Sequence, residues 1–290
     1  MIPKISKNEL YTLGVDVNAH IDPTRFFEKI ANKKHSALLM SAEIDSKKKQ
    51  KSVIIVESSV KLICTKEEFL IQALNKNGEN FLKGIADILR GDFSVVQKDQ
   101  TLSLDMTKTQ TKPNQSEDER LREMGPFSPI RKILELIKSQ NKSDLNLVGL
   151  FNYDLIETFE DLPEVKEGLT SCPYFTLYIP QVLLEINHET EKSRLKGCLF
   201  GADHKKDYEK SFFDVSRRMQ EIQKQVLGLP SIQTTQNSEL LKTLTEELEV
   251  TKSISDEKFV EYVKEIKEKI IDGDIFQGVI SRVFSVDAPD

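Results

Sequence analysis

Between Ser36 and Leu74 the chain runs through SALLMSAEI, KSVIIV, VKLICT and FLIQAL, four apolar stretches of strand length separated by polar residues. Short runs rich in Val and Ile suit the strands of a meander, and a cluster of strands this early is the strongest limit on what the chain can become. Single helices follow. Residues Gly78 to Arg90 place Phe81, Leu82, Ile85, Ile88 and Leu89 on one helical face, with Gly91 as the expected stop. Ser128 and Pro129 read as the N-cap and first-turn proline of a second helix, whose buried stripe is Ile130, Ile133, Leu134 and Ile137. Leu145 to Phe151 reads as a buried strand, and Tyr174 to Phe200 as three more, YFTLYI, QVLLEI and SRLKGCLF. Asp203 to Leu227 then makes a long amphipathic helix through Tyr208, Phe212, Val215, Met219, Ile222 and Val226. Clustered strands with single helices between them, in place of strict alternation, make the fold class α+β and disfavour a doubly wound sheet. No internal repeat suggests a solenoid or propeller.

Gly228, Pro230 and the polar run SIQTTQNSE break the long helix and mark the domain boundary. Beyond it Ser255 caps a helix with Asp256 and Glu257 in its first turn, and Phe259, Val263, Ile266 and Ile270 form its apolar stripe up to Gly273. An apolar strand is expected after that glycine. The lysine-rich SKKKQKS at Ser46 to Ser52 reads as a solvated connection, and the polar Val96 to Pro126 as strand remnants plus a mobile loop.

Composition narrows the function by exclusion. A chain of 290 residues with a net charge of -6 has no basic face to offer nucleic acid or anionic lipid. Cys64, Cys172 and Cys198 show no CxxC or Cys/His spacing, so they read as buried thiols of a reducing compartment. There is no apolar run of signal-peptide or membrane-spanning length, which places the chain in the cytoplasm, away from membranes. His20, His35, His188 and His204 stand alone in the sequence. Gly149 and Gly197 read as strand glycines marking close packing. No phosphate loop, nucleophile elbow or HExxH motif occurs.

Three stretches nevertheless carry a resemblance: LLMSAEIDSKKKQK at Leu38 to Lys51, GLFNYDLIETFEDLP at Gly149 to Pro163 with the CPYFTLYIPQVLLEINHETEKSRLKGCLF that follows, and GDIFQGVISRVFS at Gly273 to Ser285. In order and separation they resemble anthranilate synthase component I of the enteric-bacterial type, its amino-terminal region only. The resemblance implies two-layer, sandwich-like mixed sheets with flanking helices. It divides the chain into a regulatory domain over 1–227, a linker over 228–252 and the start of a chorismate-binding domain over 253–290, cut short before the catalytic motifs. A complete relative is expected to bind chorismate with Mg²⁺, add ammonia delivered by a glutamine amidotransferase subunit, and release pyruvate to leave anthranilate for tryptophan biosynthesis. No catalytic residue and no Mg²⁺ ligand is expected in this chain, which is expected to be inactive alone.

The same resemblance implies a feedback site for L-tryptophan, formed by a Leu-Leu-Glu-Ser segment and a later Asn-Pro-Ser-Pro-Tyr. Here Ser41 and Lys51 match contact residues of that pocket, while Met40 replaces the acidic residue and the later segment does not occur. Removing that carboxylate removes a group able to hold an ammonium. Ser41 can also be read as a strand-end hydroxyl bonded to backbone. Near the end, Gln277, Ser281 and Arg282 keep the family's pattern, whereas Gly278 does not. Alternatives are a non-catalytic module that binds tryptophan or the amidotransferase, and a relative that makes aminodeoxychorismate or isochorismate.

Overall fold

The computed structural model describes residues 2, 5–17, 21–31, 34–42, 49–107, 124–136, 138–139, 146–160, 172–227 and 249–286. Residues 46–48 of the expected connection, 108–123 of the expected loop and 228–248 of the expected linker fall outside them, while Lys49 to Ser52, expected as a connection, belong to a strand. The chain separates into two units, Met1–Pro230 and Ser231–Asp290.

The first unit is α+β. Its ten described strands form one mixed sheet in the order β5-β6-β4-β3-β9-β10-β1-β7, with β2 added beside β3 and β8 beside β9. In chain order these are β1 (Glu9–Val17), α1 (Pro23–Ile30), β2 (Ala37–Ala42), β3 (Lys49–Cys64), β4 (Glu68–Ala73), α2 (Lys76–Asp92), β5 (Val95–Lys98) and β6 (Thr101–Asp105). There follow α3 (Ser128–Leu136), β7 (Lys138–Ser139), β8 (Val148–Phe151), a 3₁₀ turn at Tyr153–Thr158, β9 (Phe175–Asn187), β10 (Lys192–Phe200) and α4 (Lys205–Leu227). Pairing is antiparallel except between β1 and β7.

Two pairs of expected strands prove to be single long ones. KSVIIV and VKLICT join as β3, and YFTLYI and QVLLEI join as β9. The polar Glu57-Ser58-Ser59 and the proline at 180 look like turn punctuation, but Ser58 pairs with Pro180 where the register of the two strands shifts. A bulge tolerates a residue without an N–H. Along β9 the side chains that join a helix-covered core change from odd positions, Phe175, Leu177 and Ile179, to even ones, Val182, Leu184 and Ile186, with Leu183 also buried on the opposite side. The odd set packs with α2 and α3, through Phe81, Ile85, Leu89, Ile130 and Ile133. The even set packs with α1 and α4, through Phe26, Ile30, Val215, Met219 and Ile222.

The bulge is sealed by the start of α2. Asn75 caps that helix by accepting from the Gly78 N–H at 3.0 Å, and its amide donates to the Ser58 carbonyl at 3.1 Å. Asn77, 2% exposed, donates to Ser59 Oγ at 3.1 Å and to the Cys198 carbonyl at 2.8 Å, and accepts from the Phe200 N–H at 2.9 Å. A Cβ on Gly78 would collide with the Ser59 carbonyl, so this glycine is a packing requirement. The helix therefore begins earlier than the expected Gly78. It also runs past Gly91 to Asp92, because the buried Phe93 turns the backbone extended, φ -129°, ψ 153°, to enter β5. Across the bulge, Glu57 pairs with Arg218 of α4, whose guanidinium also donates to the Ile30 carbonyl at 3.2 Å. His35, at φ 59°, accepts from Ser58 Oγ through its carbonyl at 2.6 Å.

Other expectations are corrected locally. Ser128 does not cap α3: its hydroxyl accepts from the Gly125 N–H, and the Phe127 carbonyl takes the first helical bond from Arg131. Leu134 is exposed, since the helix needs only the Ile130 and Ile133 side for its packing, and Ile137 lies outside the described residues. Strand β8 is not buried; among the described residues it pairs only with β9, and Leu150 is 79% exposed. Gly149 and Gly197 do mark close packing, against Thr176 and against Met219 with Val215. Cys64 and Cys198 are buried, and burial pushes the Cys64 thiol up to about 12, whereas Cys172 is exposed.

The second unit consists, among its described residues, of β11 (Thr251–Lys252) paired with β12 (Phe284–Ser285), and α5 (Asp256–Ile271). Ser255 caps α5 by accepting from the Lys258 N–H, and Gly273 at φ 82° ends it while Asp274 N–H bonds the Lys269 carbonyl at 3.0 Å. The stripe of Phe259, Val263, Ile266 and Ile270 is present but none of it is buried. The apolar strand expected after Gly273 shrinks to two residues. Gly278 lies against Ile266, where a Cβ would stand 2.7 Å from that side chain, so the segment follows its own helix in place of a neighbouring strand.

Replacing Asn77 by Ala removes three buried bonds, to the Ser59 hydroxyl, the Cys198 carbonyl and the Phe200 N–H, worth about 0.5–1.5 kcal/mol each. Urea unfolding should show a loss of roughly 2–5 kcal/mol for this variant, and a loss under ~1 kcal/mol would contradict the role given to the residue. A pH effect is expected at His35, whose imidazole is held below its ordinary 6.5 by burial, then by Lys61 and Lys34. Below that value the unfolded chain takes up a proton that the folded chain resists, so stability falls as pH falls. In His35→Asn, which keeps the left-handed backbone at little cost, the drop in Tm from neutral to mildly acid pH should be smaller than in the parent chain.

Candidate functional site

The two residues matched by resemblance to an effector pocket are brought together. In the antiparallel pair of β2 and β3, Ser41 stands directly opposite Lys51, and Ser41 Oγ donates to the Lys51 carbonyl at 3.3 Å. The strand-end reading of that hydroxyl therefore holds. Lys51 is in turn opposite Asn187 of β9, and Asn187 opposite Lys192 of β10. Directly opposed residues share a sheet face, so Ser41, Lys51, Asn187 and Lys192 form one row across four strands.

One step along, the same face carries Leu39, Val53, Glu185 and Arg194, again in direct register. This face is the reverse of the one that packs on α1 and α4, because the alternate residues Ile54, Leu184, Ile186 and Leu195 belong to that core. Its charges are cross-linked: Lys196 Nζ lies 2.8 Å from Glu185, and Arg194 3.2 Å from Asp16 of β1. Both Ser41 and Lys51 are exposed. The surface thus joins an apolar pair, Leu39 and Val53, to cationic, anionic and hydroxyl groups.

Met40 does not belong to it. Its partner across the pair is Ser52, and Ser52 opposes Ile186 of the α1/α4 core. Whatever side chain stands at position 40 in this register points to the other face. There Ser52, fully buried, shares a 2.8 Å hydrogen bond with His188 Nε2, and the His188 N–H bonds the Gln50 carbonyl at 2.9 Å. His188 is a turn residue, as expected, but one tied into the sheet.

Among the described residues no three His, Cys, Asp or Glu side chains gather as a metal would require. In the second unit Arg282 lies over the rings of Phe259 and Phe284, at 4.9 and 4.6 Å, and pairs with Asp256. That arrangement occupies the guanidinium structurally. No helix of the described residues is long and apolar enough to cross a membrane.

Glu185 and Asn187 are members of the face that sequence reading passed over. The alternation in Val182 to Asn187 could have disclosed them, since polar residues two apart in an apolar run point to a wet side.

The family model of chorismate binding enzymes matches residues 83–290. Anthranilate synthase component 1 of Vibrio parahaemolyticus is 34% identical over 97% of this chain and 50% of its own length. The protein of the same name from Serratia marcescens is 29% identical over 98% of this chain and 52% of its own. A crystal structure of anthranilate synthase component I from Streptococcus pneumoniae aligns over 95% of this chain and 49% of that chain, at 14% identity and a TM-score of 0.41. The chain spans about half the length of the curated relatives it matches.

Proposed function

The chain belongs to the chorismate binding enzyme family, and we propose that it supplies the amino-terminal half of an anthranilate synthase component I. The observation that carries this reading is the coverage: relatives of that name align with nearly all of this chain but only half of themselves. On this reading the complete protein converts chorismate and ammonia to anthranilate and pyruvate, with Mg²⁺ held by residues outside this chain and ammonia supplied by a glutamine amidotransferase subunit. The role of residues 1–227 is regulatory. Chorismate is then a ligand only of the complete protein.

A second reading is favoured by one observation, the placement of Ser41 opposite Lys51 on an open face. It makes the chain a binding module for L-tryptophan, with the Lys51 ammonium meeting the effector's carboxylate and the Ser41 hydroxyl beside it. The two readings are compatible, since one concerns turnover and the other regulation.

Purified chain given chorismate, Mg²⁺ and ammonium should produce no anthranilate fluorescence, and sustained turnover would overturn the proposal that catalysis needs residues beyond it. Calorimetry with L-tryptophan should give a binding signal that Lys51→Met weakens. Unchanged affinity in that variant removes Lys51 from the site.

A further inference from the structure

We propose that Glu185 is the residue that receives the ammonium group of an α-amino acid on the Ser41–Lys51 face, which makes it a specificity determinant for zwitterions over simple carboxylates. The inference rests on the effector reading given above and assigns a residue that this reading lacks.

An α-amino acid carries a cation and an anion on one carbon, and a site that pairs only the anion cannot tell it from the acid without the amino group. Lys51 supplies one partner. Position 40 is expected from resemblance to supply the other, but here it is Met, and the register turns it to the α1/α4 side of the sheet. Among the described residues, the face itself offers a carboxylate in that place. Glu185 is there, in direct register with Val53 of β3, and Val53 is two residues beyond Lys51 on the same strand. Diagonal neighbours of this kind are about 7–8 Å apart at the backbone, within reach of long side chains. A ligand seated over Val53 therefore has a cation on one side and a carboxylate on the other.

Glu185 is also oriented and partly shielded. Lys196 of β10 holds one of its oxygens at 2.8 Å, and the glutamate side chain is 39% exposed against 21% for the lysine. The lysine bond fixes the carboxylate in place and leaves its second oxygen able to accept from a ligand ammonium. Leu39, 44% exposed and in register with Val53, provides apolar surface next to the pair for a side chain such as an indole.

The test compares L-tryptophan with indole-3-propionate, which has the same ring and carboxylate and no amino group, by calorimetry on the full chain. In Glu185→Gln the affinity for L-tryptophan should fall about tenfold or more while that for indole-3-propionate stays at the parent value. In Lys196→Met, which releases the carboxylate from its tether but keeps its charge, binding of L-tryptophan should weaken less than in Glu185→Gln. Equal affinity of the parent and Glu185→Gln for L-tryptophan overturns the inference and leaves the effector reading standing. So does an equal loss of both ligands in Glu185→Gln, which marks a structural effect. If the parent chain takes up neither ligand, the effector reading fails and the role of Glu185 fails with it.

Discussion

The register shift where Ser58 meets Pro180 is the constraint on which the first unit is built. Strands β3 and β9 run through both halves of the sheet, and at this point the alternation of β9 that joins a helix-covered core changes from odd to even positions. Two helical layers can then pack on a single pair of strands. The first turn of α2 ties this place to β10: Asn75 bonds the Ser58 carbonyl, and Asn77 bonds the Ser59 hydroxyl, the Cys198 carbonyl and the Phe200 N–H. The ion pair of Glu57 with Arg218 fastens α4 at the same place. A half-buried pair of this kind contributes little net stability over an apolar contact, but losing either partner would strand the other, which makes it a device for specifying how the helix docks.

Much of the α+β class was legible because it depends on periodicity, which sequence displays directly. The long helix α4, the cap at Ser255 and the packing glycines at 149 and 197 stand where the pattern puts them. What misled was punctuation. Pro180 and the two serines at 58 and 59 are residues that turns favour, and only tertiary pairing reveals that here they serve a bulge inside continuous strands. Ser128 misled for a similar reason, its hydroxyl being claimed by a neighbouring loop N–H. Strand β1 and helix α1 went unread, although Asp22 before Pro23 is a cap followed by first-turn proline.

For the candidate site, residue identity and residue direction came from different sources. Ser41 and Lys51 were found by resemblance, and nothing in a linear sequence states that residues ten apart will face each other. Register supplies that, and it also separates Met40 from its neighbour Ser41, which no comparison of residue types would do. Glu185 and Asn187 enter only through the pairing of β9 with β3, more than a hundred residues away in the chain.

A contact surface laid out on paired strands has its spacing set by the backbone ladder, about 4.8 Å between strands and twice the residue rise along them. Loops can lengthen or shorten without moving such a lattice, whereas a single inserted residue within β2 would turn every one of its side chains over. Exchanging residues at alternate positions therefore changes the chemistry of the row from Ser41 to Lys192 without moving it, whereas changing the chain length between its strands hardly alters it.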